Sequence, residues 1–247
     1  MRALRILLII AVILGALFVV VDRVAVHVAE GKAADKVKAS ENLATTPDVD
    51  IKGFPFLTQV AGGSLDDVEV GIKDYQAATG KAGQTIRVDD LKAHMKDVTF
   101  SGDYSSAVAA AATGTATISY GELLKAAKSE PTDIVPGVRA HVVGLSDGGN
   151  GKIKVAVRVK GAFAGIPVDK SLSVLSSVTV EDGRVRVRAD SLPAIGGLSL
   201  AEDRVRSITD FQQAVDQLPG GIKIDQVRAA QDGVDVSVKG SHVRLAG

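Results

Sequence analysis

At 247 residues the chain is long enough to bury a full core, as one large domain or two small ones. Its 29 basic and 29 acidic residues cancel, and aromatics make up only 4% with no Trp, so both the electrostatic footprint and the stacking platforms of a nucleic-acid binder are missing. With 0 cysteines, the chain can have no disulfides, thiolate metal sites, Cys nucleophile or lipidated N-terminal Cys.

Arg2 and Arg5 precede an unbroken apolar run over 6–21, which Asp22 and Arg23 close. Positive charge ahead of such a run marks a segment inserted with its N-terminus in the cytoplasm, so the rest of the chain is expected outside it. The run falls between a signal-peptide core and the ~20 residues of a full span. Residues 21–28 offer no convincing pair of small residues for cleavage, which favours an uncleaved anchor over 1–23, with a cleaved signal peptide as the alternative. Residues 24–46 are rich in Ala, Lys and Glu and predict a helical stalk, interrupted near Gly31, that becomes the first helix of a domain over 47–247.

The segment 51–60, IKGFPFLTQV, gathers Phe54, Phe56 and Leu57 about Pro55, in a chain with only 6 Phe. Pro55 fixes its own φ and pushes Phe54 toward extended backbone, which predicts a stiff, non-helical apolar corner. Such a corner is either the plugged end of a core or the lip of a hydrophobic cavity. Residues 65–75 then alternate as a half-buried strand, with Val68, Val70 and Ile72 on one face. A loop is expected over 76–84. A strand follows over 86–100, whose alternation changes phase at Asp89-Asp90 and so predicts a bulge.

Residues 101–114 are small and polar and read as a hinge. Ser119 and Glu122 fit a capping box, and Tyr120, Leu123, Leu124 and Ala127 form the apolar face of the helix it opens. Two strands flank the turn 147–151, and 161–169 makes a second Phe/Pro corner carrying Phe163 and Ile166. Hairpins are predicted about 181–183 and 231–233. Between them, 207–218 reads as a second helix with Ile208, Phe211, Val215 and Leu218 on its buried stripe. The sum is an α+β fold: a long, curved antiparallel sheet wrapped on amphipathic helices, preceded by the anchor helix. A sheet rolled in that way leaves a groove lined by aliphatic side chains.

Little in the chain points to catalysis. Gly144–Gly148 matches the G-x-S-x-G elbow around Ser146, but a helix must follow an elbow, and here another strand is expected. His27, His94, His141 and His242 show no paired metal-ligand spacing, and Asp66-Asp67 and Asp89-Asp90 read as solvated turn or bulge positions. No cofactor, no metal and no enzymatic activity are expected.

The G-F-P-F-L-T-Q stretch, Gly53 to Gln59, together with the N-terminal anchor and the Ser-capped helix, resembles the LmeA-type family of phospholipid-binding envelope proteins over roughly 40–245. The resemblance implies a tubular lipid-binding (TULIP-like) fold around a lipid-sized cavity. It also implies an extracytoplasmic, membrane-associated role in binding or carrying phospholipids, phosphatidylinositol derivatives among them, during envelope glycolipid and lipomannan maintenance. On that reading Phe54, Phe56, Leu57, Leu123, Leu124, Phe163, Ile166 and Phe211 are the expected lining. The alternatives are an envelope scaffold that docks a protein partner and a serine esterase using Ser146.

Overall fold

The computed structural model describes residues 2–78, 85–126, 131–163, 165–181, 184–190, 206, 210–214 and 221–246. Among these, the apolar run and the stalk are one unbroken helix, α1 (Arg2–Ser40). The expected break at Gly31 does not occur. A single glycine costs a helix only about 1 kcal/mol, and the Ala, Lys and Glu residues around it are strong helix formers. Residues 2–21 are exposed throughout, and Asp22 is the first buried residue. Beyond it, Ala25, Val26, Ala29, Ala33 and Ala34 recur at helical spacing and turn one narrow stripe toward the sheet.

The chain continues through β1 (Asp48–Lys52), α2 (Phe56–Ala61), β2 (Ser64–Ile72), β3 (Tyr75–Ala78), β4 (Thr85–Phe100) and β5 (Ala107–Ser119) to α3 (Tyr120–Ala126). It then forms β6 (Thr132–Val135), β7 (Val138–Asp147), β8 (Ile153–Phe163), β9 (Ile166–Glu181), β10 (Arg184–Ala189), β11 (Phe211–Ala214), β12 (Lys223–Ala229) and β13 (Gly233–Ala246). The α+β class is as expected, and the long antiparallel array is organised as two sheets. One runs β1-β2-β4-β5-β13-β12 with β3 on β4, and the other runs β11-β10-β9-β8-β7-β6. Closing β13 onto β5 brings the C-terminal hairpin back beside the middle of the chain.

Two cores follow from this layout. In one, the α1 stripe packs with Val49, Ile51, Phe56, Leu65, Val98 and Ala109 of the first sheet and α2. In the other, α3 and the β12–β13 hairpin pack against the inner face of the second sheet. The bulge at Asp89-Asp90 is present: the β4–β5 register slips between Asp89 and Lys92, and Asp90 adopts φ 47°. The hairpins at 147–151 and 231–233 are in place, and β9 pairs with β10 as expected. Helix α3 starts where predicted, with the Ser119 hydroxyl accepting the Glu122 N–H at 3.4 Å. The Glu122 carboxylate, however, serves Lys125 and the Arg87 N–H instead of reaching back, so only half of the capping box forms.

Five expectations are corrected. The 101–114 hinge is for the most part strand β5, because small Ala and Thr side chains let it lie between β4 and β13 beneath α1, with Ala109 fully buried. Part of the 76–84 loop is β3, which takes up ladder bonds from β4. The second corner is the β8–β9 hairpin tip, paired as far as Phe163 and Ile166, because Gly165 at φ 80° allows a tight turn. Phe211–Ala214 is a strand on the edge of β10, where a backbone ladder satisfies more polar groups than a short isolated helix would; the rest of 207–218 lies outside the described residues apart from Asp210. Finally, the first corner is not free of helix, since α2 begins directly after Pro55.

A candidate apolar binding surface

The wall of the second sheet is built by strict alternation. In β8, Ile153, Val155, Val157 and Val159 point inward and are buried, while Lys154, Arg158 and Lys160 point out. Val138, Ala140 and Val142 of β7 and Val174 of β9 extend the same face. Facing them are Val227, Ala229 and Val234 from the β12–β13 hairpin and the ring of Tyr120 from α3. Around this buried centre lies a rim of half-buried aliphatic side chains: Leu123 and Leu124 on α3, Leu172, Val178 and Val180 on β9, Val185 on β10 and Ile224 on β12. They are half-buried because the two sheets meet closely at β9 and β12 but leave their inner faces incompletely covered toward the edges.

Polar groups are sparse on this inner face. Ser176, fully buried between Ile153 and Ala189 in the register, has a hydroxyl without a hydrogen-bond partner among the described residues. Tyr120 directs its hydroxyl to the Ala230 carbonyl at 2.8 Å, and burial of the ring pushes its pKa up, with Asp147 and Asp235 adding to the effect. Charges sit on the outer face in pairs. Arg158 grips Asp169 with two contacts of 3.1 Å, and Lys152 meets Asp190 at 2.7 Å. The Lys152 ammonium, helped by the Ser177 hydroxyl, holds the Asp190 carboxyl below its usual range. An aliphatic inner face and a charge-paired outer face suit the burial of hydrocarbon, at ~0.8 kcal/mol per CH₂.

The expected lining residues do not converge on one place. Leu123 and Leu124 belong to the rim just described. Phe56 is buried in the other core and Leu57 packs beside it. Phe54 and Ile166 are exposed, at 57% and 67%. The side chains of Phe163 and Phe211 lie outside the described residues, although their strands place them at the β8–β9 tip and on the edge of β10.

The corner itself is held by the residues of the G-F-P-F-L-T-Q stretch. Gly53 adopts φ +98°, and a Cβ there would stand 2.5 Å from the Gln59 amide nitrogen. The Leu57 N–H donates to the buried Asp22 carboxylate at 2.8 Å, and the Thr58 hydroxyl donates to the Pro55 carbonyl at 2.9 Å. Gln59 Oε1 accepts the Asp66 N–H at 2.8 Å, tying α2 to β2. Of the two polar side chains of the stretch, Thr58 closes the first turn of α2 on itself and Gln59 docks it on β2.

Three further features were not legible in the chain. The β2–β4 register sets His94 opposite Glu69, with His94 Nε2 2.7 Å from Asp67 Oδ1, so that Asp67, Glu69 and His94 offer donor atoms within 4.8 Å of one another. Lys52 Nζ lies 2.6 Å from Glu69 Oε1 and already supplies a cation there, so the group reads as an ion-pair network. A cleft of about 380 Å³ opens on the first sheet among Lys92, Thr117, Arg228 and Asp235. Another of about 750 Å³ lies at the β6–β7 turn beside Arg139 and Lys160. Both clefts have mixed polar and apolar linings and include none of the expected lining residues. Ser146 is the exposed penultimate residue of β7, and the strand is followed by a turn and β8, so the strand-to-helix geometry of a nucleophile elbow is not met.

Curled antiparallel sheets, packed on a long N-terminal helix and enclosing an aliphatic interior, define an α+β protein of TULIP-like architecture. The chain belongs to the LmeA-like phospholipid-binding family, whose profile matches residues 20–239. No curated protein and no solved structure matches it. The match starts within α1 and runs nearly to the end of β13, so both cores fall inside it.

Proposed function

We propose that this protein is a membrane-anchored, extracytoplasmic phospholipid-binding protein that holds or carries lipid without catalysis, in the upkeep of envelope glycolipids such as lipomannan. The observation that carries the reading is the half-buried aliphatic rim around the second core, within a chain of a phospholipid-binding family. A fatty tail laid along Leu172, Val178, Val180 and Val185 would complete their burial, and a tail needs no reacting group. The fully exposed apolar half of α1 supports the anchor, since its length and composition suit a bilayer. The outward location rests on Arg2 and Arg5 ahead of the run. Phosphatidylinositol derivatives are the head-group class that the family resemblance implies.

Native mass spectrometry of the protein purified in mild detergent tests this. A phospholipid should remain bound, and Leu172→Asp or Val178→Asp should remove it while leaving the circular dichroism spectrum unchanged. An empty wild-type protein that takes up no phospholipid from vesicles would refute the reading.

A further inference from the structure

The helix that leaves the apolar run enters the folded domain without a spacer. Residues 4–21 of α1 are bare, and the next residue, Asp22, is fully buried. Its carboxylate accepts the Leu57 N–H at 2.8 Å and one Arg23 N–H at 2.6 Å. Arg23 in turn reaches the Gly53 carbonyl at 3.4 Å and lies over the Phe54 ring, 5.3 Å from its centroid. The GFPF corner is therefore clamped at the level of residues 22–23.

The position of that level follows from helix geometry. The 16 residues over 6–21 rise ~24 Å at 1.5 Å each, somewhat less than the ~30 Å of bilayer hydrocarbon. With the run inside the bilayer, residue 22 has no slack and must stand at the head-group boundary. The corner stands there with it. What the corner exposes at that height suits the location: an apolar ring that is 57% open and an arginine that is 47% open. Such a pair fits the acyl–head-group boundary, ring below and cation at phosphate level. Tyr104, itself 56% exposed, is tied through its hydroxyl to the Val60 carbonyl at 2.9 Å, at the other end of the same short α2.

We propose that the corner formed by Arg23 and residues 53–57 is a membrane-contact surface, with Phe54 inserted into the bilayer that holds α1. It rests on the anchor reading above and adds an orientation: the domain lies against the phospholipid surface at its GFPF end instead of standing off on a stalk.

The chain has no Trp, so Phe54→Trp introduces a single reporter at an exposed position. Ser40→Trp serves as the reference, 18 residues beyond Asp22 on the same helix and ~27 Å farther along its axis. Both full-length variants are reconstituted into vesicles of equimolar phosphatidylcholine and phosphatidylglycerol, with and without lipids brominated near the head group. Carbonate extraction is run on the same vesicles. The expected result is retention in the membrane, with a blue-shifted Phe54→Trp emission quenched severalfold more than that of Ser40→Trp. Retention with equal or absent quenching would overturn the contact surface and leave the anchor standing. Release by carbonate would overturn the anchor reading and the contact surface with it.

Discussion

Tyr120 buries its ring between the sheets while its hydroxyl spans 110 positions of sequence to reach the Ala230 carbonyl. Tyr120→Phe should keep the packing and lose the hydrogen bond, lowering stability by about 1 kcal/mol, read as a lower urea midpoint at unchanged slope. Burial raises the phenol pKa, so the stability it contributes is complete below the unfolded value of ~10 and is lost as pH rises through the folded one. The variant should therefore show a flatter alkaline limb. Asp103 behaves in the opposite sense. The Ser101 hydroxyl first, then the Ser105 N–H and hydroxyl, hold its carboxyl down at about 2. The order this confers on the 101–106 turn is present above the unfolded value of ~3.9 and fades as pH falls through the folded one. Carboxyl ¹³C titration should find the low midpoint, and Ser101→Ala should raise it.

Among the elements, α2 shows most clearly how a locally weak piece is stabilised from elsewhere. At six residues it is far too short to persist alone. It has no side-chain cap of its own; Asp22 supplies an acceptor from α1, 35 residues away, and Phe56 anchors it in the core. Asp22→Ala should speed hydrogen exchange at the Leu57 amide and lower the melting temperature, while Asp22→Asn, which keeps an acceptor oxygen, should restore much of both. Normal Leu57 protection in the alanine variant would show that the cap is dispensable. β11 makes a similar point, since a segment with a helical pattern takes a strand's shape where β10 offers it an unpaired edge.

At the scale of the molecule, α1 has two halves with different duties. Residues 2–21 are exposed throughout, whereas Val26 and Ala34 are part of the first core. A chain beginning at Asp22 should therefore fold and melt cooperatively, and one beginning at Asp35 should lose the cooperative transition of the first sheet. Circular dichroism melts on the two shortened chains distinguish these outcomes. An equal loss in both would mean that the apolar half is needed for folding. This division also bears on processing, because any cut beyond Asp22 would remove the acceptor that holds the GFPF corner.

The local patterns were readable in advance where the signal is periodic. Alternation along β8, the phase slip at Asp89-Asp90, the stripe of α3 and the turns of the hairpins are all written in neighbouring residues, and local sterics and burial act at that range. β5 was unreadable because Ala and Thr carry little hydrophobic contrast, and α2 because its cap comes from far along the chain. The division into two sheets, the aliphatic rim and the Asp67–Glu69–His94 network were decided only in three dimensions. They depend on which strands become neighbours and in what register, and a shift of one residue in register would turn each face inside out. The sequence alone determined an apolar N-terminal run, an α+β class and a cysteine-free, charge-balanced chain; the tertiary structure decided where apolar surface is left incompletely buried, because burial is a property of neighbours and not of residues.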